Sequence, residues 1–217
     1  MKIINVEAFE YDELNDEAKA KARDWYKADD EGDVTCWSIR TQFETDLESL
    51  GLENLKAWWS LNWCQGDGVA FEGDFDLGSF SIKQRELCEE KHETKDVWGK
   101  FVHECTLSKD GMTRLEKLCG DEEMEVCCHV KTVGRYTHWN SMEASIECYS
   151  DTTDEQDMLL EEVREDIAEL LKSISKEFER IGYADVEWHA SDEAVSETIN
   201  ANEYLFTAEG CREVVLN

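Results

Sequence analysis

Eight apolar residues, Leu160, Val163, Ile167, Leu170, Leu171, Ile174, Phe178 and Ile181, recur at helical spacing along one stretch of the chain. A strand would throw them onto alternating faces, whereas a helix gathers them into one stripe that needs an apolar layer to cover it. Thr153 or Asp154 is placed to cap this helix and Gly182 to close it, so the spacing predicts a helix over 154–181. A chain that contains it must supply a second layer.

That layer reads as β. From Asn54 the residues turn aromatic and β-prone through Leu55 to Trp63; Cys64-Gln65-Gly66-Asp67-Gly68 follow, then Val69 to Phe75. Two glycines around an aspartate suit the positive φ values of a tight connection, so this block predicts a hairpin. A second hairpin is predicted from Met124–Val133 and Trp139–Tyr149 around the connection Gly134 to His138. Val126, Cys128 and Val130 alternate there with Cys127, His129 and Lys131, and Met142, Ala144, Ile146 and Cys148 share one face of the return.

Around these blocks the sequence predicts a strand over Lys2–Phe9 and a helix over 16–31, capped by Asn15 or Asp16 and ending near Gly32. A helix over 35–50 stops at Gly51, and a helical region over 81–118 breaks near Thr94 to Asp96. A short capped helix spans Ser191–Asn200, and an extended tail over Glu203–Val215 turns at Glu209-Gly210. With no proline and no Gly/Ser linker, one compact unit is expected over 1–217. The expected fold class is α+β: an antiparallel sheet of four to six strands built from two hairpins and covered by the helices.

Charge narrows the function. The 217 residues carry 22 Lys+Arg against 52 Asp+Glu, a net −30, yet 41% are hydrophobic, with 8 Trp, 8 Phe and 6 Tyr. That is too apolar for a disordered acidic tail. So negative a chain repels phosphate, which excludes nucleic acid as a direct partner and favours a basic protein. Glu outnumbers Asp 33 to 19, which is not the balance expected of a strongly salt-adapted surface.

No apolar run reaches the roughly 18 residues that cross a bilayer, and the N-terminus has no signal-peptide pattern, so a soluble cytoplasmic protein with no membrane partner is expected. Nine scattered cysteines, an odd number with no CxxC pair, read as reduced thiols. The closest metal-like clusters are His103-Glu104-Cys105 and Cys127-Cys128-His129. Strand alternation would split the latter between two faces, so no metal is expected. Gly-x-Gly-x-x-Gly, Walker and Gly-x-Ser-x-Gly patterns are absent, so no cofactor and no serine nucleophile are expected. Trp58, Trp59 and Trp63 lack basic neighbours in sequence and read as core or sheet packing rather than a base-stacking platform.

Two candidate sites remain. Gln65 and Asp67 in the first turn, with Arg135, Tyr136 and His138 in the second, would supply an acid/base pair, an amide and a cation if the turns meet at one end of the sheet. The competing reading gives Gln65 and Asp67 local turn hydrogen bonds only. The second candidate is the polar side of the long helix. Nine acids and one base, Arg164, lie between Asp151 and Glu169, all off the apolar stripe. Glu161, Glu165 and Glu169 would stack about 6 Å apart, close to the spacing of phosphates along a nucleic-acid strand, flanked by Glu162 and Asp166. Like charges at i and i+4 weaken a helix, although acids near its N-terminus are favoured.

Three stretches carry a family resemblance. They are Phe9-Glu10-Tyr11-Asp12-Glu13-Leu14 running into Glu17 to Tyr26, the block Cys64-Gln65-Gly66-Asp67-Gly68-Val69-Ala70-Phe71, and Ser191-Asp192-Glu193-Ala194-Val195 through Asn202 to Gly210. Together they resemble a family of small bacteriophage and prophage proteins, some of whose relatives carry an antitoxin-like label. Those relatives usually have Ser where this chain has Cys64. The resemblance implies a phage origin and a bacterial cytosol, and it brings no activity and no catalytic residue.

The expected function is that of a non-enzymatic, phage-encoded accessory protein. It would bind and inhibit a basic host protein of nucleic-acid handling or defence, using Glu161, Glu162, Glu165, Asp166 and Glu169 as a nucleic-acid mimic. The alternatives are a small hydrolase or ligand-binding module at Gln65, Asp67, Arg135 and His138, and an antitoxin-like neutraliser of a toxin.

Overall fold

The computed structural model describes residues 7–29, 33–90, 105–120 and 124–212. It is an α+β chain whose residues pack as two compact units, Ser38–Gly182 and Met1–Trp37 with Tyr183–Asn217.

In the larger unit β2 (Lys56–Ser60), β3 (Gly68–Asp76), β4 (Val126–Thr132) and β5 (Met142–Cys148) form a four-stranded antiparallel sheet in the order β2-β3-β4-β5. Both expected hairpins are present. The register pairs Trp58 with Ala70, Phe75 with Cys128 and Val130 with Ala144. Val126, Cys128 and Val130 are buried and Cys127, His129 and Lys131 face outward, so strand alternation splits the Cys-Cys-His cluster between two faces.

The long helix, α5 (Asp154–His189), turns Leu159, Val163, Ile167, Leu170, Leu171, Ile174 and Phe178 inward; of the expected stripe, Leu160 and Ile181 are only half-buried, and Leu159 takes the inward place at its start. Phe178 stacks on Phe43 of α2 (Asp33–Ser49) with centroids 4.4 Å apart and meets Phe71 of β3 edge-on at 5.6 Å. The stripe therefore finds its aromatic layer. The buried Ser175 hydroxyl donates to the Val69 carbonyl, tying α5 to the start of β3. Asp76 ends β3 and accepts from the Ser79 amide at 2.7 Å, which opens α3 (Leu77–Glu90). Buried Gln84 of α3 donates to the Leu50 carbonyl at 2.9 Å and accepts from the Leu107 amide at 3.0 Å. Ser108 then caps α4 (Lys109–Cys119).

Local signals explain most boundaries. Asn15 accepts from the Ala18 amide at 3.0 Å and caps α1 (Asp16–Asp29). Past α2, Gly51 has φ +85°, its amide reaches the Glu48 carbonyl, and the Leu52 amide reaches back to Leu47, the paired bonds of a glycine-closed helix end. Thr153 and Gln156 bond reciprocally at the start of α5.

The smaller unit holds α1, α6 (Asp192–Ala201) and a two-stranded antiparallel sheet, β1 (Phe9–Glu10) with β6 (Leu205–Phe206). Its core is Tyr11, Leu14, Ala18, Ala22, Val195, Ile199 and Phe206. Tyr11 accepts from Arg23 and bonds Ser196, each at 2.7 Å.

Two expectations need correction. Gly182 does not close α5, which runs on to His189. A Cβ at Gly182 would lie 2.4 Å from Leu61 Cδ1 and 3.4 Å from Phe43, so the glycine admits a close neighbour inside the helix instead of ending it. The helix expected to begin at 81 begins at Leu77, because Asp76 is both the last strand residue and its cap. The expected strand over Lys2–Phe9 is described only in its last residues, where β1 begins at Phe9. The helix end at Gly32 and the break at Thr94 to Asp96 lie outside the described residues, as do His103 and Glu104.

Candidate functional site

The sheet register places the turn after β2 and the connection after β4 at the same end. They touch. A Cβ at Gly66, where φ is +93°, would lie 2.5 Å from Tyr136 Cδ1, and one at Gly68 would lie 3.2 Å from the Thr137 carbonyl. The glycines are needed both for the turn and for this approach.

What the turn does with Asp67 decides its chemistry. The carboxylate is buried; Oδ1 accepts from the Ser60 hydroxyl at 2.7 Å, and Oδ2 accepts from the amides of Asn62 at 2.7 Å and Cys64 at 2.6 Å. Asp67 is thus the anchor of its own loop, with its oxygens already engaged. Because the Cys64 backbone makes that bond, the Cys-for-Ser departure changes only the weak thiol contact to the Asn62 carbonyl at 3.4 Å. Gln65 is exposed. The Arg135 guanidinium lies 4.9 Å from the Tyr136 ring and bonds its hydroxyl at 2.8 Å. His138 Nδ1 accepts from the Asn140 amide at 3.1 Å and opens the short turn Trp139–Ser141. The four residues sit on turns that meet, and two of them spend a side-chain atom on holding their own backbone.

Sequence reasoning missed what surrounds them. Trp63 is 67% exposed with φ +58°, and Lys176 of α5 lies 4.2 Å from the Trp139 ring. Trp58 and Trp63 are exposed and not packed in the core, and the cation that the sequence lacks beside them comes to Trp58 from Arg40 of α2, whose guanidinium lies 5.2 Å from its ring. No local spacing signals such a pair.

On α5 the acidic row lies as the periodicity requires, opposite the buried stripe. Its members differ. Glu161, Glu165 and Glu169 side chains are 61%, 69% and 73% exposed, whereas Asp166 is only 19% exposed. Arg114 of α4 grips Asp166 through two 2.7 Å bonds, so this carboxylate joins two helices. Arg164 pairs with both oxygens of Glu161 and reaches Glu165 at 3.8 Å; Lys172 pairs with Glu169 at 2.6 Å. Hydrogen bonding from Arg164 holds the Glu161 carboxyl below the usual carboxylate range. Exposed Glu162 makes no ion pair among the described residues. Asp151, Asp154, Glu155 and Asp157 extend the exposed row toward the helix start.

A third group lies on the outward face of the sheet. His129 Nδ1 is 2.6 Å from Asp74 and its Nε2 faces Glu147 at 3.5 Å, too long for a good hydrogen bond. The bond to Asp74 raises the imidazole pKa, with Glu147 adding to the effect. Among the described residues no group of three His, Cys, Asp or Glu side chains has a geometry that could hold a metal ion. No described helix is long and apolar enough to cross a membrane.

A family model described as a domain of unknown function, DUF8835, matches residues 36–194. No curated protein and no solved structure matches the chain.

Proposed function

We propose, for this chain, which belongs to the DUF8835 family, that it is a binding protein whose acidic α5 face engages a basic protein of nucleic-acid handling, standing in for the phosphate row of a nucleic acid. The observation that carries this reading is the exposed carboxylate row of Glu161, Glu162, Glu165 and Glu169, backed by a buried stripe that fixes the helix rigidly behind it. Asp166 belongs to the fold and not to the contact, because Arg114 already occupies it. A partner's arginines would replace Arg164 and Lys172 on the row, giving fast and salt-sensitive association.

The resemblance to phage proteins supports a reading in which the protein acts in a bacterial cytosol, with a host defence or nucleic-acid enzyme as the target and inhibition as the outcome. An antitoxin-like protein would use the same binding logic toward a toxin.

The test is affinity capture from bacterial lysate at low and raised salt, with wild type beside a variant carrying Glu161→Lys, Glu162→Lys, Glu165→Lys and Glu169→Lys. The expected result is a basic nucleic-acid-handling protein captured by wild type, released by salt and lost with the variant. Equal capture by a folded variant rejects the acidic face.

A second reading, a small-ligand module at the sheet end, draws on the meeting of the two turns. In it Gln65, Arg135 and His138 are the ligand-facing groups, and Asp67 holds the loop without taking a proton-transfer role. Alanine at His138 and Arg135 would then abolish ligand binding while leaving partner capture intact.

A further inference from the structure

In the smaller unit three aromatic residues cluster, and one cation lies against two of them. Trp25 and Tyr26 lie on α1, one and two turns beyond the buried Ala22 and Ala18, and Tyr204 leads into β6. Trp25 and Tyr204 meet nearly perpendicularly, 82° between planes with centroids 5.6 Å apart, and Tyr26 stands 6.3 Å from the first and 6.4 Å from the second. All three are half-buried. The Arg212 guanidinium lies over both faces, 4.7 Å from the Trp25 centroid and 4.6 Å from that of Tyr204. A guanidinium set in the corner of two aromatic rings, within 5 Å of both centroids, is held by cation–π attraction to each.

The turn that delivers Arg212 is fixed by other contacts. The Thr207 amide donates to the Cys211 carbonyl at 2.8 Å, and the Gly210 amide to the Thr207 carbonyl at 2.9 Å. Gly210, with φ +82°, lies against α1 so closely that a Cβ would stand 2.2 Å from the Ala18 carbonyl oxygen. Arg212 itself is exposed and pairs as an isolated bridge with Phe206. The cage walls and the turn are therefore built by the core, and the occupant is an exposed side chain laid into them.

We propose that Trp25, Tyr26 and Tyr204 form a binding site for an arginine side chain of a basic partner, and that Arg212 occupies it as an internal competitor. This rests on the reading of a basic partner given above only for the source of the arginine; the cage is defined by its own geometry. A tethered occupant acts at an effective concentration on the order of millimolar, so an incoming arginine competes with it and binds with reduced apparent affinity. Release of the segment at Arg212 would then open a second contact, made of other residues than the α5 row, that recognises guanidinium shape as well as charge.

The test uses the blocked tripeptide acetyl-Gly-Arg-Gly-amide, its lysine counterpart, and the Trp25 indole N–H signal followed by NMR. The expected result is that Arg212→Ala, folded as judged by its thermal melt, binds the arginine probe about tenfold more tightly than wild type and prefers it over lysine. In that background Tyr204→Phe keeps the binding and Tyr204→Leu loses it. An arginine probe that binds Arg212→Ala no better than wild type overturns the proposal, as does equal binding in the Tyr204→Leu background. If the probe leaves Trp25 unmoved while salt-sensitive partner capture through α5 persists, the cage is wrong and the acidic face stands. If capture fails while the probe still moves Trp25, the reverse holds.

Discussion

Asp67 and Glu165 are both carboxylates beside a candidate site, and the structure treats them oppositely. Asp67 is buried and accepts from one hydroxyl and two backbone amides, so its charge is spent on the shape of a turn. Glu165 stands 69% exposed on a helix, with one arginine at 3.8 Å. A carboxylate that builds the fold has its oxygens filled from within, whereas one available to a partner keeps them in water. Asp166, one residue from Glu165, falls on the first side of that line because Arg114 of α4 reaches it.

The largest effect should come from the turn. Asp67→Ala leaves two backbone amides and a hydroxyl without their charged acceptor, which should cost about 3 kcal/mol and lower the melting temperature by roughly 6–12 °C. A shift of a degree or less would place Asp67 with the exposed acids and erase the contrast. Gly66→Ala comes next, at about 1 kcal/mol, since φ is +93° and the new Cβ meets the Tyr136 ring. The exposed tyrosine can swing aside, so combining it with Tyr136→Ala should recover only the steric part; a thermal-melt cycle of the four proteins measures the split.

On the helix face the same experiment should read almost nothing. Glu162→Lys with Glu165→Lys should keep the melting temperature within about 2 °C of wild type, because exposed charges away from packing features matter little to stability. Its effect belongs in binding. The smallest effect is a pH dependence. Glu161 has its carboxyl lowered by Arg164, so the pair's contribution is present above the ordinary carboxylate range and lost as pH falls through the lowered value. Solvent screening keeps it small. Glu161→Gln should melt about a degree below wild type near pH 7 and together with it near pH 3, and a gap that widens in acid would contradict the sign.

Periodicity and punctuation made much of this fold legible. The 160–181 stripe, the alternation of Val126, Cys128 and Val130, the caps Asn15 and Thr153 and the stop at Gly51 all act within a few residues, where sequence spacing is spatial spacing. Gly182 was illegible because its cause is Leu61, 121 positions away; from sequence a helix glycine at the end of a stripe reads as a stop. The meeting of the two turns was one of two outcomes that the hairpins allow, and the antiparallel pairing of β3 with β4 decides it. That Asp67 would be consumed by the turn was one of two readings a Gly-Asp-Gly block allows, and only the positions of Ser60, Asn62 and Cys64 decide between them. Arg114 on Asp166, Lys176 on Trp139 and Arg212 on Trp25 are each contacts between elements distant in the chain, which no local pattern encodes.

The central claim is that the α5 row stands in for nucleic-acid phosphates. The most direct measurement takes the captured partner, bound to a fluorescent DNA duplex, and titrates in this protein while following anisotropy. Wild type should displace the duplex, less effectively as salt rises, and the Glu161, Glu162, Glu165 and Glu169 reversal should displace none while melting like wild type. Displacement by the reversed variant, or a partner that holds DNA and this protein together without competition, would contradict it.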